Sequence, residues 1–60
     1  MRRIARYNGT TWAMEDVPAN VFLDMALVPV YPDLRGATWV ESVVGDEIIF
    51  DYQKRAGEKG

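Results

Sequence analysis

The chain has 60 residues, with 9 acidic and 7 basic side chains for a formal charge of −2, and it contains neither histidine nor cysteine. That length allows one domain whose core is too small to enclose a substrate-sized pocket. The missing residue types exclude disulfides, thiolate or imidazole metal ligation, thiol nucleophiles and histidine acid–base chemistry.

The first local signal is Asn8-Gly9, a dipeptide that accepts the two positive φ angles of a type I′ turn. It predicts a tight hairpin joining strands Arg2–Tyr7 and Thr10–Met14, with Glu15-Asp16 ending the second strand in charge. A helix follows, starting at Asp16 or Val17 with Pro18 in its first turn. Val21, Phe22, Met25 and Ala26 form its expected apolar stripe, and Asp24 lies on its outer face. Pro29 limits the helix and Pro32 keeps it from resuming, so Tyr31-Pro32-Asp33-Leu34 reads as a loop or single turn. Ala37–Val44 is the expected third strand and Glu47–Arg55 the fourth, joined through Gly45-Asp46. In the fourth strand alternation sets Ile48, Phe50 and Tyr52 toward the core, with Trp39 joining from the third strand and Val40 facing away. The fold class is α+β, with one amphipathic helix across one face of a small sheet. Two sheets satisfy this order: a mixed one with the last strand beside the first, in parallel, or an all-antiparallel one in sequential order.

The content is 48% hydrophobic, including two Trp, two Phe and three Tyr, which suits a single small core. No apolar run approaches the ~15 to 20 residues of a signal peptide or membrane span, and the mild charge gives no reason to expect nucleic acid or a membrane as partner. A soluble cytoplasmic protein is the simplest expectation. Arg2, Arg3 and Arg6 read as a solvated edge strand that discourages sheet-to-sheet pairing. Glu15-Asp16 and Asp46-Glu47 are the only adjacent carboxylate pairs, and each sits where a turn needs solvated polar residues. Tyr31 beside Pro32 is expected to pack against the helix end, with a binding aromatic as the alternative. Val40 and Ile49 are a candidate surface patch on the sheet face away from the helix, with a half-buried pair as the alternative.

Arg6-Tyr7-Asn8-Gly9, then Tyr31-Pro32-Asp33-Leu34 with Ala37-Thr38, and finally Gly57-Glu58-Lys59-Gly60 together resemble the small proteins called PRTRC system protein C, a family grouped with prokaryotic ubiquitin-like proteins. The resemblance implies a ubiquitin-like β-grasp fold in the order β-β-α-β-β, with one helix packed on a mixed four-stranded sheet. It implies a domain over residues 1–55 and a flexible tail over 56–60. It further implies a bacterial protein modifier that is not itself an enzyme and carries no cofactor or metal. The expected partners are a ThiF-type activating enzyme that uses ATP, a conjugating-enzyme-like protein, a JAB-type metallopeptidase and a target protein. The C-terminal attachment point carries over onto Gly60, and Gly57, Glu58 and Lys59 become the tail recognised by the partners. Ubiquitin and the sulfur carriers of the ThiS and MoaD type end in two glycines, whereas this chain has Lys59-Gly60, which disfavours a sulfur-carrier role. A non-covalent interaction module is the other expectation.

Overall fold

Backbone sterics set the two hairpin turns among the described residues. The computed structural model describes residues 1–54. Strand β1 (Arg2–Tyr7) turns into β2 (Thr10–Met14) through Asn8 and Gly9, whose φ angles are 53° and 82°. Both are positive, as a type I′ turn requires. Strands β3 (Thr38–Val44) and β4 (Glu47–Gln53) are joined by Gly45-Asp46. Here only Gly45 has positive φ, 61°, which is the pattern of a type II′ turn with glycine in its first central position.

The four strands form one mixed sheet in the order β2-β1-β4-β3. The outer pairs are antiparallel, and the central pair β1–β4 is parallel, with Arg3 opposite Ile48 and Ala5 opposite Phe50. The sequential antiparallel alternative is therefore absent. The placement of β1 also corrects one expectation. Arg2, Arg3 and Arg6 lie on a central strand, not an edge. Arg2 and Arg6 pair with Glu47 and Asp51 of β4, whereas Arg3 faces the helix side with Ala5 and Tyr7.

Between the hairpins runs a short helical stretch. Helix α1 (Ala19–Phe22) continues directly into a π-helical turn, Leu23–Leu27, and Pro32–Leu34 adds a single 3₁₀ turn. The helix starts later than the sequence predicts. Pro18 stands before it with ψ 150°, and its carbonyl accepts the Phe22 N–H at 2.9 Å. Proline steers the residue before it away from helical geometry, so Val17 cannot join the first turn.

The buried stripe differs as well. Ala19, Leu23 and Leu27 face the core, while Met25 is 71% exposed and Val21, Phe22 and Ala26 are only partly covered. Positions four apart drift by ~40° on an α-helix of 3.6 residues per turn. The wider π turn, closed by the Val28 N–H to Leu23 carbonyl bond at 2.9 Å, counters that drift and keeps Leu23 and Leu27 on one side. Asp24 is exposed on the outer face, as expected.

The core combines this stripe with Ala5, Met14, Leu34, Ala37, Phe50 and Tyr52. Phe50 and Tyr52 point inward as the alternation predicts, and Ile48 packs against the same cluster. Trp39 lies opposite Tyr52 with ring centroids 5.6 Å apart. No helix among the described residues is long and apolar enough to cross a membrane.

Candidate interaction surface

Strand pairing decides which side chains meet on the sheet face away from the helix. Ile4 of β1 lies opposite Ile49 of β4, and the row continues to Ala13 on β2 and Ser42 on β3. The next row sets Arg6 opposite Asp51 and Asp51 opposite Val40, and on the other side Arg2 lies opposite Glu47 and Glu47 opposite Val44. Arg6 and Asp51 form an ion pair at 3.0 Å, and Arg2 and Glu47 one at 3.4 Å. A short apolar strip, Ile4–Ile49, is thus bordered by two ion pairs and opens toward Val40 and Val44 of β3. Exposed pairs of this kind contribute little stability, but they fix the charge pattern of the face.

Val40 and Ile49 do share this face, as diagonal neighbours with Val40 55% exposed and Ile49 half-buried. The sequence reading missed Ile4, which only the parallel pairing brings beside Ile49. It also missed Val44, 61% exposed at the end of β3 on this face, and Val43, 64% exposed on the helix side opposite Ile48.

The other sequence candidates have structural places. Glu15 and Asp16 are exposed beyond the end of β2, where with Met1, Arg2, Ile4 and Ala13 they line a depression open to solvent. Asp46 occupies the β3–β4 turn and Glu47 pairs with Arg2. Among the described residues no three potential ligand side chains gather to hold a metal ion. Tyr31 packs edge-on against Tyr7 at 5.1 Å and Trp12 at 6.2 Å between centroids, and its N–H bonds the Leu27 carbonyl at 2.6 Å. It ties the first hairpin to the end of the helical stretch.

Two further residues do what no sequence signal announced. The guanidinium of Arg3 donates to the carbonyls of Glu15 and Val17 and lies 4.9 Å over the Phe50 ring. The Tyr52 hydroxyl, buried, donates to the Ala19 carbonyl at 2.8 Å. Burial pushes that hydroxyl up to about 12 from its ordinary 10.0, with the positive charge of Arg3 acting the other way. Both are positioning devices for the β2–α1 connection.

Strand β4 ends at Gln53, and Lys54 then reaches Asp33 of the 3₁₀ turn at 3.7 Å. Gly57, Glu58, Lys59 and Gly60, the expected tail and attachment point, lie outside the described residues, as does Arg55. In comparisons with known proteins, no family model, no curated protein and no solved structure matches this chain.

Proposed function

We propose that this chain is a ubiquitin-like modifier of the β-grasp fold, and that its Gly60 carboxylate is activated and transferred to a target protein. The observation that supports the reading best is the sheet itself. A parallel β1–β4 pair at the centre, flanked by antiparallel strands with one helical stretch between the hairpins, is compatible with a β-grasp. Fold alone does not give function, so the chemistry rests on the tail and on the resemblance to the PRTRC system protein C family.

A carboxylate is a poor acyl donor until its oxygen becomes part of a good leaving group. Adenylation by a ThiF-type enzyme supplies that group: the carboxylate oxygen bonds to the α-phosphate of ATP and pyrophosphate departs. The acceptor nucleophile then bonds to the acyl carbon and AMP departs. The modifier contributes no acid, base or metal ligand to this sequence, only a terminus that fits. Glycine tolerates nearly any φ and presents no side chain to a narrow channel. Residues 56–60, fully extended, span up to roughly 17 Å at ~3.3 to 3.6 Å per residue, a reach that suits insertion into a partner's active site.

The test is intact mass after incubation with ATP and the activating and conjugating partners, for the full chain and for one lacking Gly60. An adduct that needs both ATP and Gly60 is expected. No adduct with partners of proven activity, or the same adduct without Gly60, overturns the reading. A second reading, a non-covalent interaction module, is favoured by the exposure of Val40, Val43 and Val44, and it predicts indifference at Gly60.

A further inference from the structure

Strand β3 is an exposed edge of the sheet with a single charge for protection. It is an edge strand of seven residues, as long as its neighbour β4, and only Trp39 among them is even half-buried. Proteins blunt such edges with short strands, prolines, charged side chains (lysine above all), bulges or a covering element. β3 has no proline or lysine, and its pairing with β4 runs without interruption from Thr38–Gln53 to Val44–Glu47. What it has is one charge, Glu41, at its centre. Alternation places Glu41 on the helix side with Trp39 and Val43, and Val40, Ser42 and Val44 on the outer face. Glu41 is exposed, and the ion pairs of the described residues, Arg2–Glu47, Arg6–Asp51 and Lys54–Asp33, leave it without a cation.

We infer that the β3 edge is a docking site for an extended segment of another protein, added antiparallel as a fifth strand, with a lysine or arginine opposite Glu41 and β-branched residues opposite Val40, Val43 and Val44. Main-chain hydrogen bonds supply the attachment and alternate side chains the selectivity. Charge chooses the occupant. A second copy of this chain joined by a two-fold axis must keep paired side chains on one face. Centred on Glu41, such a pair opposes two carboxylates, and centred on Ser42 it opposes Glu41 to Val43. Like charges directly opposite are destabilising, whereas an opposite charge there adds stability. A cation-bearing strand is the complement that Glu41 selects.

The inference stands apart from conjugation at Gly60, and its test uses the full chain with no ATP or activating enzyme present. The probes are two capped peptides, Thr-Val-Val-Ser-Lys-Val-Thr and the same peptide with Glu in place of Lys, titrated at low salt while backbone amide resonances and exchange rates are followed by NMR. The lysine peptide is expected to shift and protect the amides of Thr38–Val44 in a saturable way and to bind up to about tenfold more tightly than the glutamate peptide. Glu41→Lys, at an exposed position and checked for folding by circular dichroism, is expected to reverse that preference. Three results overturn the inference: no change at these amides with either peptide, equal affinity for both, or a preference that Glu41→Lys leaves intact. Sedimentation showing that the chain dimerises with the same amides protected assigns the edge to a second copy and overturns it too.

Discussion

Replacing Tyr52 by Phe removes one buried oxygen and leaves the ring in place. The side chain is 2% exposed, and its hydroxyl donates to the Ala19 carbonyl at 2.8 Å. Deletion leaves no donor behind, and the Ala19 carbonyl keeps a second partner, the Leu23 N–H. The penalty of an orphaned buried acceptor therefore does not apply. What is lost is the net worth of one satisfied hydrogen bond, about 0.5–1.5 kcal/mol. In a domain this small, each kcal/mol lowers the thermal midpoint by roughly 4–8 °C. The pH dependence gives an independent signature. Burial pushes the folded hydroxyl up to about 12 from its ordinary 10.0, so its stabilisation is fully present below pH 10.0. It is lost as pH rises from 10.0 through about 12, because the unfolded chain releases the proton first. Tyr52→Phe has no such group, and the native chain's advantage over it should shrink across that window. Thermal melts of both chains by circular dichroism, near neutral pH and in steps through the alkaline range, measure both effects. Equal midpoints near neutrality, or a difference that does not shrink through the alkaline window, would refute this account of Tyr52.

Two other substitutions test the interior. Arg3→Ala removes two hydrogen bonds from a charged donor to the Glu15 and Val17 carbonyls and a cation over the Phe50 ring. A loss of about 2–3 kcal/mol is expected in urea unfolding, with Arg3→Lys in between because an ammonium lacks the planar fork. Arg6→Ala, which breaks only the exposed pair with Asp51, should cost less than ~1 kcal/mol. On the helical stretch, Leu27→Ala should cost about 2–5 kcal/mol and Met25→Gln should fall within ~0.5 kcal/mol of the native chain, since Leu27 is 1% and Met25 71% exposed. Equal costs at the two positions would restore the stripe that the sequence suggested.

Local sterics made part of this fold readable. Asn8-Gly9 and Gly45-Asp46 declare their turns because few other dipeptides accept the backbone they need, and Ile48, Phe50 and Tyr52 declare the inward face of β4 by simple alternation. The helix was legible in existence but not in phase. Val21, Phe22, Met25 and Ala26 compete with Ala19, Leu23 and Leu27 as apolar sets of similar spacing. The choice between them depends on where Pro18 lets the helix start and on a π turn that no residue type announces. Arg3 was grouped with its basic neighbours, although its spacing from Ala5 and Tyr7 already placed it on the inward face. Its partners are backbone carbonyls 12 and 14 residues away, which composition cannot show. Nothing in the residues themselves sets β4 beside β1. That placement came only from the resemblance, and the exposure of β3 as an edge follows from it. Of the candidate site, Gly60 is legible as a residue type alone.

The polar ties fall into a pattern that bears on how this chain can change. Carbonyls 15 and 17 are held by Arg3 of β1 and carbonyl 19 by Tyr52 of β4, so alternate peptides of the β2–α1 connection are clamped by the two central, parallel strands. A helix of four residues cannot sustain itself, because nucleation costs more than one turn returns. Clamping its entry segment fixes where it starts and sets Ala19, Leu23 and Leu27 over the sheet. Stability is thereby concentrated in β1, β4 and residues 15–27. The positions proposed for recognition on β3, Glu41 with Val40, Val43 and Val44, take no part in those ties. Variation at Val40, Glu41, Val43 or Val44, or at Gly60, should alter partners while leaving the midpoint of unfolding nearly unchanged, and variation at Arg3 or Tyr52 should do the reverse.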